Sequence, residues 1–144
     1  MKPLRLLPFA ALVCCATSVL AAPAVIFDMG GKFDKSFNES AYRGVEKWKA
    51  ETQQSYLEFE ISNETQRVQA LRRMAEKGAS PIISIGFAQA SALEQVAKQF
   101  PKTQFAIVDG VVKLPNVASI TFKEGEGSYL AGALAALKSK SGKL

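Results

Sequence analysis

The chain has 144 residues, with 18 lysines and arginines against 13 acids, no histidine and two cysteines. Its length falls within one ordinary domain of about 100–150 residues, and 48% hydrophobic with 22% charged residues is the make-up of a folded protein. Without histidine the commonest general base and metal ligand are gone, and two cysteines build neither a disulfide scaffold nor a four-cysteine zinc site.

Met1 to Ala21 reads as a secretory signal. Lys2 and Arg5 make a positive start, Leu6 to Leu20 is an uncharged apolar run, and Val19-Leu20-Ala21 offers small residues for cleavage before Ala22. The run is short for a transmembrane helix. Cleavage removes Cys14 and Cys15 and lowers the formal charge from +5 by two, leaving no thiol and only a mild basic excess. No dense Lys/Arg stripe is present, so no nucleic-acid partner is expected. A lipid-bearing cysteine wants a small residue before it. Cys14 follows Val13 and Cys15 follows Cys14, so a lipid anchor is not expected.

Strands and helices then alternate. Ala24 to Asp28 is a buried strand ending in an acid, and Gly30 and Gly31 form a loop. Ser36-Phe37-Asn38-Glu39 has capping-box spacing and starts a helix, with Ala41, Val45 and Trp48 on one face. Tyr56 to Ile61 is the second strand. Asn63 to Lys77 is a second helix, with Val68, Leu71, Met74 and Ala75 inward and Gly78 as its stop. Pro81 to Ile85 is a third strand, and Leu93, Val96, Ala97 and Phe100 mark a third helix closed by Pro101. Gln104 to Asp109 and Val117 to Phe122 are further strands, and Ser128 to Leu137 is a small-residue helix. Gly125-Glu126-Gly127 resembles part of a phosphate loop, but its acids would repel phosphate and the Lys-Ser/Thr pair is absent. It reads as a turn into the last helix.

This order predicts an α/β fold: a doubly wound parallel sheet with helices on both faces. Ligands of such sheets bind beyond the carboxyl ends of the strands, near a topological switch point. Asp28, Ser36, Phe37, Asn38, Gly86, Phe87 and Asp109 fall on that rim. Asp28 and Asp109 either accept hydrogen bonds from hydroxyls or ring N–H groups, or merely cap loops. Phe37 either offers a flat face to a ring or staples the helix start. Asn38 can read a base or sugar edge or can be plain surface polarity. Gly86 allows close backbone approach or only starts the third helix, and Phe87 shares that ambiguity. A magnesium site would use strand-end acids too, but no phosphate cradle accompanies them. No catalytic residue, metal site or cofactor is expected.

The stretch from Val25 to Gly44, VIFDMGGKFDKSFNESAYRG, resembles the opening of the BMP (basic membrane protein) family, the PnrA-like substrate-binding proteins of ABC transporters. SIGFAQASAL, QFAIVDG and NVASITFKEGEGSYLAGALAAL fit in order. The resemblance implies a periplasmic-binding-protein-like lobe of type I, one of two that close on a purine nucleoside and then dock to permease subunits. It puts Asp28 and Asn38 at the polar edge of the ligand, Phe37 at one stacking face and Asp109 near the base. Ser36, Gly86 and Phe87 adjoin them. Residues 22–144 are then expected to be the N-terminal lobe, exported to the periplasm or the outer face of the plasma membrane. Ser139 to Lys143 leads toward a second lobe that this sequence does not include. The alternatives are a ligand-sensing receptor acting through a partner protein and a small nucleoside-processing enzyme.

Overall fold

In the computed structural model, which describes residues 21–143, strands of four residues alternate with helices up to the last two strands, which follow one another without a helix. The order is β1 (Ala24–Phe27), α1 (Phe37–Thr52), β2 (Leu57–Glu60), α2 (Gln66–Glu76), β3 (Ile82–Ile85), a short 3-10 turn (Phe87–Gln89), α3 (Ala90–Gln99), β4 (Phe105–Val108), β5 (Val117–Ile120) and α4 (Glu124–Lys138). The signal-like segment, except its last residue Ala21, lies outside the described residues.

All neighbouring strands are parallel, in the order β2-β1-β3-β4-β5. β1 is apolar at every position because both its faces are covered: all four residues are buried. β2 lies at the sheet edge, and Leu57 and Phe59 alternate with exposed Glu58 and Glu60. The two sides of the sheet carry separate cores. Ala24, Ile26, Ile82 and Ile107 pack with Leu71 and Met74 of α2 and with Leu93 and Val96 of α3. Val25, Phe27 and Ile85 lie under Ala41, Tyr42 and Val45 of α1. The chain moves one way from β1 to β2 and the other way from β2 across to β3. The right-handed crossover rule therefore places α1 and α2 on opposite faces. The gap between β1 and β3 is the switch point.

One local expectation changes. Gly125 and Gly127 belong to α4 rather than to a turn before it. Glu124 and Glu126 in its first turn face the positive end of the helix dipole, which offsets the poor helix propensity of the glycines. α4 buries none of its residues, and Tyr129, Leu130, Leu134 and Leu137 are exposed. On the α1 side of the sheet, a cavity of about 530 Å3 is lined by Val45 and Trp48 of α1 and by Val25, Ile83, Val108 and Ile120 of four strands.

Candidate ligand-binding rim

The rim is built around Asp28, the first residue after β1. Its backbone N–H donates to Asn38 Oδ1 at 3.1 Å, and its carbonyl accepts from Asn38 Nδ2 at 3.1 Å. Nδ2 also reaches the Met29 carbonyl at 3.5 Å. Asn38 is buried, and both ends of its amide brace the β1–α1 loop. This bracing fixes the first turn of α1, and with it Phe37, beside the end of β1.

The start of α1 is held by a different residue from the one expected. Ser36 makes no side-chain capping bond. Asp34 does so instead: Oδ1 accepts the N–H groups of Ser36 (2.8 Å) and Glu39 (3.1 Å), and Oδ2 accepts that of Asn38 (3.1 Å). Partial desolvation pushes the Asp34 carboxyl up, but these bonds outweigh it and hold the group below its ordinary value. Ser36 itself is exposed and lines a polar depression with Lys35, Glu39, Ser40 and Arg43.

The Asp28 side chain is held from two sides. Arg67 Nη2 donates to Oδ1 at 3.1 Å. Gly86, at φ +100, brings its backbone so close that a Cβ there would stand 2.9 Å from Oδ2. Gly86 therefore allows a close approach, but to the carboxylate rather than to open space. Gln89, fully buried, donates from Nε2 to the carbonyls of Ile26 (3.1 Å) and Ile85 (2.9 Å), tying β1 and β3 together just below the rim.

β4 completes the edge. Asp109 adopts φ +62, in the left-handed region uncommon for non-glycine residues and frequent at functional sites. Its N–H donates to the Ile120 carbonyl at 2.8 Å, and among the described residues its carboxylate has no hydrogen-bond or ion-pair partner. The next residue, Gly110, runs so near Phe87 that a Cβ would meet the Phe87 Cα at 3.3 Å. The expected residues thus form a connected series: Phe37, Asn38, Asp28, Gly86, Phe87 and then Asp109 through Gly110. Only Ser36 turns aside. Asp28 and Asp109 end strands separated by β3, two interstrand spacings or about 10 Å apart.

Phe37 is 37% exposed and Phe87 is 72% exposed, and Met29 and Val111 beside them are exposed as well. Large apolar side chains left uncovered around two carboxylates suit a ligand with a flat face and hydrogen-bond donors at its edge. The rim carries one carboxylate paired to a cation and one unpaired, so it favours donors and disfavours anionic groups. Among the described residues no group of acids could hold a metal ion, and no helix is long and apolar enough to cross a membrane. Sequence reasoning missed Asp34, Arg67 and Gln89. The signal for Arg67 was a cation at the start of a helix, where acids are favoured.

The family model for the PnrA-like substrate-binding proteins of ABC transporters (Bmp) matches residues 21–144. The chain is 38% identical over 127 residues to a CD4+ T-cell-stimulating antigen of Listeria monocytogenes, covering 84% of this chain and 36% of that protein. It is 34% identical to the ABC transporter nucleoside-binding protein BmpA of Lactococcus lactis, covering 84% and 36%. A relative from Pyrococcus furiosus, 37% identical over 78% of this chain and 29% of its own length, is named a lipoprotein. That name weighs against the expectation of an unanchored protein. Among solved structures, an ABC transporter solute-binding protein of Aeropyrum pernix superposes with a TM-score of 0.75 at 29% identity, over 81% of this chain and 32% of that one. The chain spans about a third of the length of these curated relatives. The family is one of binding proteins, not enzymes. A parallel α/β sheet with a donor-seeking rim, matched by the family model across the described residues, belongs to the Bmp family of PnrA-like ABC transporter substrate-binding proteins.

Proposed function

We propose that residues 22–144 are the N-terminal lobe of an exported receptor that binds a purine nucleoside and delivers it to the permease of an ABC transporter. The observation that carries this reading is the rim at the switch point, where Phe37 and Phe87 stand exposed beside Asp28 and Asp109. The base would stack on Phe37, and the carboxylates would accept its N–H groups and the ribose hydroxyls. A phosphorylated ligand would meet repulsion from the unpaired Asp109. The name of the Lactococcus relative supports the same ligand class.

The rim is one wall of a binding site. A second lobe would supply the facing wall, and closure of the two on the ligand would shift an open–closed equilibrium without covalent chemistry. The receptor works outside the cytoplasm, and the lipoprotein relative favours a place at the outer face of the membrane.

Calorimetric titration of the full-length protein with inosine, guanosine and adenosine tests the ligand. Saturable heat with at least one purine nucleoside is expected. Heat only with an amino acid or a sugar would overturn the assignment.

A further inference from the structure

Arg67 runs against three ordinary preferences. It puts a cation in the first turn of α2, which contains no acid, although the helix dipole there is positive. Its side chain is only 10% exposed, a burial arginine rarely accepts unpaired. Its Nε is buried with no hydrogen-bond partner among the described residues.

The compensation it finds is specific. Nη2 donates to Asp28 Oδ1 at 3.1 Å, across 39 positions of sequence. Glu64 lies 3.7 Å from Nη1 but is 78% exposed, so it contributes little. A largely buried ion pair is weak support for stability, because desolvation of both charges offsets their attraction. A residue that breaks local rules without an evident gain in stability points to a requirement of the site.

We propose that Arg67 is a positioning residue for the ligand rim. It holds the Asp28 carboxylate in one orientation by occupying Oδ1, while Asn38 fixes the Asp28 backbone and Gly86 limits the space around Oδ2. Oδ2 has no hydrogen-bond partner among the described residues and is left to accept from a hydroxyl or ring N–H of the ligand. A carboxylate already oriented loses less freedom when the ligand arrives. This role rests on the reading of Asp28 as a ligand acceptor.

A double-mutant cycle on the full-length protein, read by calorimetry with inosine, tests it. Arg67→Met keeps most of the apolar stem and removes every donor. It is expected to weaken binding about tenfold, within the coupling range of hydrogen-bonded neighbours. Arg67→Lys keeps the charge but not the fork, and should fall between Arg67→Met and the unsubstituted protein. In an Asp28→Asn background, Arg67→Met should change affinity less than about threefold, because the group it orients is no longer a carboxylate. Binding by Arg67→Met equal to that of the unsubstituted protein, or two losses that simply multiply, would overturn the proposal. If Arg67→Met does not fold, the same cycle is run with Arg67→Lys. No heat from the unsubstituted protein would sink the nucleoside reading itself, and the positioning role with it.

Discussion

Replacing Gly86 by alanine tests the packing at the switch point. Gly86 sits at φ +100 and ψ 141, a region essentially reserved for glycine, and forcing another residue there costs about 1–3 kcal/mol. The new Cβ would stand 2.9 Å from Asp28 Oδ2 and 3.4 Å from the Asp28 Cβ. Asp28 cannot easily swing away, since Arg67 holds its Oδ1 and Asn38 holds its backbone on both sides. Overpacking of that kind adds about 1–3 kcal/mol, so the total loss is about 2–6 kcal/mol. At about 4 °C per kcal/mol for a domain of this size, the melting temperature should fall by about 8–24 °C. Urea unfolding by linear extrapolation measures the same loss independently. Gly44, inside α1 with nothing within 4 Å of a built Cβ, is the internal control. Gly44→Ala should stabilise the protein by about 0.5–1 kcal/mol through helix propensity. A loss below about 1 kcal/mol for Gly86→Ala would refute both the contact with Asp28 and the strain argued for this position.

Three further substitutions probe the rim. Asp34 has a folded value held below its unfolded one, so its contribution to stability is present above the unfolded value and is lost as pH falls through the folded value. Asp34→Ala should lower stability at neutral pH and flatten the acid limb below about pH 4. Unfolding curves with the same acid limb in both proteins would contradict the capping role. Asn38→Ala leaves the Asp28 N–H without its partner and should cost about 1–3 kcal/mol in urea unfolding, whereas a change below about 0.5 kcal/mol would show that the loop is held by other means. Phe37→Ala should weaken nucleoside binding by about 1–3 kcal/mol in calorimetry, the usual worth of a stacked aromatic. Unchanged affinity would make Phe37 a packing residue.

The strands were legible because β1, β3 and β4 are short, largely apolar runs and β2 alternates apolar with acidic residues, and the alternation of strands with helices leaves few topologies. Asp28, Gly86, Phe87 and Asp109 were legible for the same reason: they follow strands, and a parallel sheet presents its carboxyl ends to ligands. The helix start was harder. Asp34 and Ser36 are both good capping residues two positions apart, and only the path of the chain after Gly31 decides that Asp34 faces the free N–H groups. Arg67 lay beyond local reasoning because its partner is 39 residues away and is reached only when β1 and α2 pack on each other. The double use of Asn38, as acceptor and donor to the backbone of one residue, is likewise a property of the folded loop.

Amide chemical-shift mapping of the isotopically labelled full-length protein during addition of inosine tests the central claim most directly. The account predicts perturbations at the carboxyl rim: Asp28 and Met29, Phe37 and Asn38, Gly86 and Phe87, and Asp109 to Val111. The loops at the opposite end of the sheet, Gln53 to Tyr56 and Pro101 to Gln104, should stay unchanged. Perturbations confined to those loops, or to the cavity between α1 and the sheet, would contradict it.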